Sequence, residues 1–109
     1  FEPPRVRDIA RDTGISETEV RALLKTVARV GEVALVAHDH FFLTDAVRDL
    51  ADVAAELAQK HHVARAAEFR DRIGTGRKLA IQILEFFDRV GYTRRVRDDH
   101  HIQRSNPWR

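Results

Sequence analysis

Apolar residues recur at steps of three and four in five stretches of the 109-residue chain, with short apolar runs and glycines between them. Val6, Ile9 and Ala10 form a short stripe after the Pro3-Pro4 pair, in a helix ended by Gly14. Ser16 and Glu19 have capping-box spacing and open a helix whose predicted buried face is Val20, Leu23, Leu24, Val27 and Val30, closed by Gly31. Residues 33–37 and 41–43 flank His38-Asp39-His40 and read as a small hairpin. Thr44 or Asp45 then caps a helix with Val47, Leu50, Ala54 and Leu57 on one face and Val53 beside it, running to Gln59 or His61. A short helix is expected within 63–73, and a tight connection at Gly74-Thr75-Gly76. Leu79, Ile83, Phe87 and Val90 share one face of the last helix, which Thr75 is placed to cap and Gly91 to stop. Residues 92–96 and 101–103 make a second hairpin around a turn at 97–100.

The pattern repeats. Adding 60 carries Arg29-Val30-Gly31 onto Arg89-Val90-Gly91, and Val36, Asp39 and His40 onto Val96, Asp99 and His100. The apolar set Val20, Leu23, Leu24 and Val27 becomes Ala80, Ile83, Leu84 and Phe87, so every predicted core position stays apolar. Upstream, Val6-Arg7-Asp8 answers to Phe69-Arg70-Asp71, which predicts an offset of 63 there and a longer turn in the first copy.

A helix-turn-helix pair followed by a two-stranded wing, occurring twice, is a tandem winged-helix array: mainly α with small β wings. Residues 1–43 form the first unit, lacking its first helix. Residues 44–104 form the second, with helix 44–60 as both connector and first helix, and 105–109 are a tail. The absent initiator Met and the missing helix together suggest a chain that begins inside a domain.

Composition adds exclusions. An apolar content of 43% with 33% charged residues is ordinary for a globular chain, and no apolar run reaches the roughly 20 residues that span a bilayer. Without cysteine there is neither a disulfide framework nor a thiol nucleophile. No nucleophile, base and orienting acid occur at usable spacing, so no enzymatic role is expected. The six histidines, without Cys and with few positioned carboxylates, read as turn and helix-end residues and not as a metal site.

Charge is divided unevenly. Residues 1–62 carry 8 Lys and Arg against 11 Asp and Glu, while residues 63–109 carry 11 against 6. Glu17 and Thr18 at the entrance of one helix become Arg77 and Lys78 at the other, where the helix dipole disfavours cations by roughly 0.3 to 1 kcal/mol each. An arriving anion would favour them. The first wing, 32–43, has no Lys or Arg; the second, 92–103, has Arg94, Arg95 and Arg97. Strand alternation puts Arg94 and Val96 on one side and Arg95 and Arg97 on the other. Glu85 and Arg89 are spaced to pair with each other. The second copy carries the charge of a nucleic-acid reader.

Three segments, Gly76-Arg77-Lys78, Leu84-Glu85-Phe86-Phe87-Asp88-Arg89 and Gly91-Tyr92-Thr93-Arg94-Arg95, closely resemble the last winged-helix domain of the bacterial selenocysteine-specific elongation factors, the SelB family. The first half, PPRVRDIARDTGISETEVRALL with its hairpin, resembles the preceding winged-helix domain, so the likeness covers nearly all of 3–104. The resemblance implies binding of the selenocysteine insertion hairpin (SECIS) of selenoprotein mRNA, for recoding of UGA. It implies an RNA-binding set of Arg72, Thr75, Gly76, Arg77, Lys78, Arg94, Arg95 and Arg97. It also implies a cytoplasmic protein without membrane contact, monomeric, and reaching the ribosome and selenocysteyl-tRNA through the parent factor. GTP and Mg would belong to an upstream domain; Gly74-Thr75-Gly76-Arg77-Lys78 lacks the GxxxxGK[ST] spacing, and no cofactor is expected in this chain.

Two other readings stand beside it: a duplex-DNA regulator, and a winged-helix spacer binding protein through helix 44–60. Against duplex DNA, Ile81, Glu85 and Phe86 occupy the predicted exposed middle of the last helix, and only its first turn is basic. Tyr92 reads as a wing aromatic packed on the core more than as a base-stacking platform, and Trp108 as a residue lying loosely on the surface.

Overall fold

Arg5 and Arg65 each precede a helix of eight residues, α1 (Val6–Thr13) and α4 (Ala66–Ile73). Each helix ends at a glycine in the left-handed region, Gly14 at φ 73° and Gly74 at φ 70°, where a side chain would be strained. The next pair, α2 (Glu17–Arg29) and α5 (Arg77–Arg89), has thirteen residues each. In this computed structural model, which describes residues 3–109, the repeat therefore holds a constant offset of 60 from the first helix onward. The predicted shift to 63 is wrong: Ile9, not Val6, answers to Phe69, and the two helix turns have equal length.

The wings close each copy. Strands β1 (Val33–Ala37) and β2 (His40–Leu43) pair antiparallel, with a register irregularity between Leu35 and Ala37. Between the copies lies α3 (Thr44–His61). The second wing has three strands in the order β3-β5-β4, from β3 (Ala64–Arg65), β4 (Thr93–Val96) and β5 (Asp99–Ile102). The helix expected within 63–73 thus starts later, because Ala64 and Arg65 pair with His100 and Asp99. At the offset of 60, Pro4 replaces Ala64 and has no N–H to donate to a ladder. The Val6 N–H donates to the Asp39 carbonyl at 3.3 Å instead. The second turn is also tighter than expected, since Val96 pairs with Asp99 and leaves only Arg97 and Asp98. Arg97 sits at φ 58°, and Arg95 Nε donates to its carbonyl at 2.7 Å.

The chain separates into two compact units, one running to Val47 and the other Arg48–Arg109. In the first, Val6, Val20, Val33 and Phe41 are buried, with Ile9, Ala10, Leu24, Val27 and Ala28 packed against them. Leu23 and Val30, predicted to be buried, are 59% and 71% exposed. In the second, Phe69, Ile83, Leu84, Phe87 and Tyr92 are essentially sealed from solvent. Each such side chain contributes about 1.5 to 3 kcal/mol through burial. Ala51, Ala54 and Leu57 of α3 are buried too, and the described residues of the first unit have no counterpart of that helix. Leu23 is open where Ile83, at the matching position, is closed. Val90 departs from its predicted face and is exposed.

The tail does not lie loosely. The Trp108 ring stands 5.9, 5.6 and 5.7 Å from the rings of Phe86, Phe87 and Tyr92. Asn106 Nδ2 donates to the Arg48 carbonyl at 2.9 Å and to Asp52 Oδ1 at 2.8 Å, and Arg109 pairs with Asp52. Phe86, expected on the open face of its helix, is consequently buried. The Arg89 guanidinium lies over the Phe86 ring at 5.5 Å.

Candidate nucleic-acid interface

Ser16 caps α2 by accepting from the Glu19 N–H at 3.2 Å, and Glu17 and Glu19 fill the first turn with negative charge. At α5 the equivalent residue is Gly76. Gly76, not Thr75, is the N-cap, no side chain caps the helix, and no acid stands in its first turn. The Thr75 N–H is directed back to the Arg70 carbonyl at 3.4 Å. The N-terminal N–H groups of α5 therefore keep their pull on an anion, with Arg77 and Lys78 exposed beside them. Neither cation has a carboxylate partner among the described residues.

Arg77 lies on a groove of about 270 Å³ with Arg65, Ile81, Arg95, Asp98 and His100. Helix α5 supplies Arg77, β4 supplies Arg95, and the start of α4 supplies Arg65, so three elements converge. Arg65 Nε donates to Asp99 at 2.7 Å, a bond that raises the pKa of the Arg65 guanidinium and holds the Asp99 carboxyl below its ordinary value. Arg95 is braced by the Arg97 carbonyl, with Asp98 3.8 Å away. At the base of the groove His100 is buried, its Nδ1 3.0 Å from Asp88, and Asp88 also accepts from the Thr93 hydroxyl at 2.6 Å. A shallower hollow along α5, lined by Arg77, Lys78, Ile81, Gln82 and Glu85, holds about 520 Å³. Gln82 Oε1 is buried there without a hydrogen-bond partner among the described residues.

The predicted residues separate by position. Arg77 and Arg95 meet at one groove with Gly76 at the helix entrance, and Lys78 borders the adjoining hollow. Arg94 stands opposite His101 on the other face of the wing, and Arg97 is in the turn. Arg72 is paired with Glu56 of α3. Tyr92 is wholly buried, with its hydroxyl on the Ala51 carbonyl, which removes it as a stacking surface. Sequence reasoning missed Arg65 and His100 as groove residues. Arg5 and His40 stand at the matching positions, but only the pairing of β3 with β5 brings Arg65 and His100 together at the groove.

That matching hollow in the first unit, about 180 Å³, is lined by Arg5, Arg7, Glu17, His38 and Asp39. Asp39 and Arg5 are engaged within the unit. Arg21, at the position of Ile81, donates twice to Asp39 at 2.8 and 2.7 Å, lowering that carboxyl, while Arg5 Nε donates to His40 Nε2 at 3.1 Å. Glu17 stands where Arg77 does, and Leu35 where Arg95 does.

The family model described as "Elongation factor SelB, winged helix" matches residues 56–102. A solved structure of the mRNA-binding domain of elongation factor SelB from E. coli, in complex with SECIS RNA, is similar with a TM-score of 0.91 and 43% identity, over 94% of this chain and 85% of that one. The chain belongs to the SelB family. Its winged-helix units match the fold of the SelB mRNA-binding domain. The selenocysteine-specific elongation factor of Escherichia coli (strain K12) is 44% identical over 102 residues, and that of Haemophilus influenzae 33% over 101 residues. The chain spans 17% and 16% of the length of those two SelB relatives. Among the described residues, no helix is long and apolar enough to cross a membrane.

Proposed function

We propose that this chain binds a SECIS-type mRNA hairpin through its second unit, with the groove between the α5 entrance and the β4 strand as the grip on the RNA backbone. The observation that carries the reading is the charge contrast at matched positions. On one scaffold Arg77 and Lys78 stand without a carboxylate partner among the described residues at an uncapped helix end, with Arg95 beside them in a loose 3.8 Å pair with the exposed Asp98, while its twin has Glu17, Thr18 and Leu35 there. Gly76 and Thr75 allow close backbone approach, and Arg94 and Arg97 extend the basic surface around the wing. Arg72 serves the fold through Glu56 and lies outside the grip. The E. coli SelB domain of the same fold is known in complex with SECIS RNA, which supports the choice of ligand.

A folded loop suits this surface better than a straight duplex. Beyond its first turn, the open face of α5 offers Ile81, Gln82 and Glu85, a poor set for reading consecutive base edges. One helix end and one wing can clamp a bent backbone. Within a full-length cytoplasmic factor, the chain would act as a monomeric arm without catalysis of its own. It would hold an upstream GTPase, with its GTP and Mg, and selenocysteyl-tRNA near a ribosome at UGA.

Fluorescence anisotropy of a labelled SECIS hairpin, with a loop-scrambled hairpin and a DNA duplex as competitors, tests the reading. Loop-dependent binding with a salt slope equivalent to about three to five phosphate contacts is expected. Equal or absent binding to all three probes overturns it.

A further inference from the structure

The two wing histidines are buried alike but wired differently. His40 receives the Arg5 Nε–H on Nε2, and Ala28 occupies the place that Asp88 holds in the second unit. In the second unit Arg65 is turned to Asp99 instead, and the Asp88 carboxylate takes the Nδ1 side of His100. A carboxylate only accepts, so Nδ1 carries the hydrogen and Nε2 is left for another partner. Among the described residues Nε2 has none, and His100 borders the basic groove.

We propose that His100 takes up a proton at Nε2 when RNA binds and donates that N–H to a backbone phosphate in the groove, so that hairpin affinity is linked to pH. This rests on the RNA-binding reading above and adds a specific contact to it. The proton comes from solvent, and the phosphate oxygen accepts the hydrogen bond; no covalent bond changes. The surroundings set the linkage. Asp88 on α5 favours the charged ring, and Asp98 and Asp99 at the wing turn add to it. Arg77 on α5, Arg95 directly across β4 and Arg65 at the end of β3 oppose it. Helix α4 contributes only Ala66 and Ala67 there. A phosphate among the three arginines cancels their repulsion of a fourth cation while Asp88 keeps its attraction. In the first unit the Arg5 contact occupies Nε2, which denies His40 the same role.

The test uses this chain and the labelled E. coli SECIS hairpin at constant ionic strength. Calorimetry near pH 7 in buffers of different ionisation enthalpy should count net proton uptake, up to one per complex. Kd should weaken as pH rises from about 6 to 8, by no more than about tenfold per pH unit for one linked proton. His100→Gln should flatten the profile at the weak, high-pH level. Asp88→Asn should move the rise in affinity to lower pH, and His101→Gln should leave it as in wild type. Should the variants misfold, nitrogen NMR of the wild-type imidazole decides directly, since His100 must be doubly protonated in the complex at pH 7. Zero proton uptake, a slope that survives His100→Gln, or a singly protonated ring in the complex overturns the proposal. Tight, pH-independent binding ends this proposal alone, whereas absence of hairpin binding at every pH ends the RNA reading as well.

Discussion

The Tyr92 hydroxyl donates to the Ala51 carbonyl at 2.8 Å, joining the start of the second wing to the middle of α3 across 41 positions of sequence. Burial pushes that hydroxyl's pKa up, with the Asp52 charge adding to the effect, so it stays a neutral donor at ordinary pH. Ala51 already accepts within its helix, and removing the hydroxyl orphans little. Tyr92→Phe should cost about 0.5 to 1.5 kcal/mol in thermal or urea unfolding. Hairpin affinity measured well below the melting temperature should be unchanged; a large loss would return Tyr92 to the RNA surface.

Charge reversal at the α5 entrance separates binding from folding. Arg77→Glu with Lys78→Glu places acids where the helix dipole favours them, by about 0.3 to 1 kcal/mol each. Melting should hold or rise while SECIS affinity falls by about tenfold or more at low salt. Paired losses of melting temperature and affinity would show that these cations support the fold instead.

Arg95 and Arg72 both belong to the RNA-binding set that the resemblance implies, and the structure places them differently. Arg95 faces the groove with Arg77, whereas Arg72 is paired with Glu56, each side chain about half exposed. Arg95→Ala should lower the salt-dependence slope by about 0.7 to 0.9. Arg72→Ala should leave that slope in place and cost at most about 1 kcal/mol of stability. Equal slopes for the two variants would remove the distinction between them.

The tail should report on acid. Hydrogen bonds from Arg109 and Asn106, in that order, hold the Asp52 carboxyl below its ordinary value near 3.8. A depressed folded-state pKa gives a contribution fully present above the unfolded value and lost as pH falls through the folded one. Trp108, the sole tryptophan, should therefore keep its emission down to about pH 4 and shift to the red below that, ahead of global unfolding. Trp108→Ala should cost about 1 to 3 kcal/mol, through lost contact with Phe86, Phe87 and Tyr92. An emission spectrum already that of a solvated indole at pH 7 would mean the tail is undocked in solution.

Local chemistry was readable from the chain, and long-range cover was not. Ser16 caps α2, Gly14 and Gly74 end their helices, and α3 runs Thr44–His61 with its expected apolar face buried, because each rests on neighbours within four residues. Leu23 and Ile83 have the same local pattern but different fates, one exposed and the other buried, so periodicity alone does not set burial there. Phe86 is buried by a tryptophan 22 positions away, which no periodicity encodes. Arg65 and His100 escaped notice because strand pairing, not spacing, brings them to the groove with Arg77 and Arg95. The Thr75 cap failed on a single position: the repeat aligns Ser16 with Gly76, and the side chain that would close the helix is missing there.

The constant spacing of 60 gives most positions of one unit a paralogue in the same polypeptide, with the same boundaries around helices of equal length. Recognition is then a cassette of a few side chains laid on a shared frame. Ser16→Gly, Glu17→Arg, Thr18→Lys, Glu19→Leu, Arg21→Ile and Leu35→Arg would write the second unit's uncapped helix entrance and groove charges onto the first.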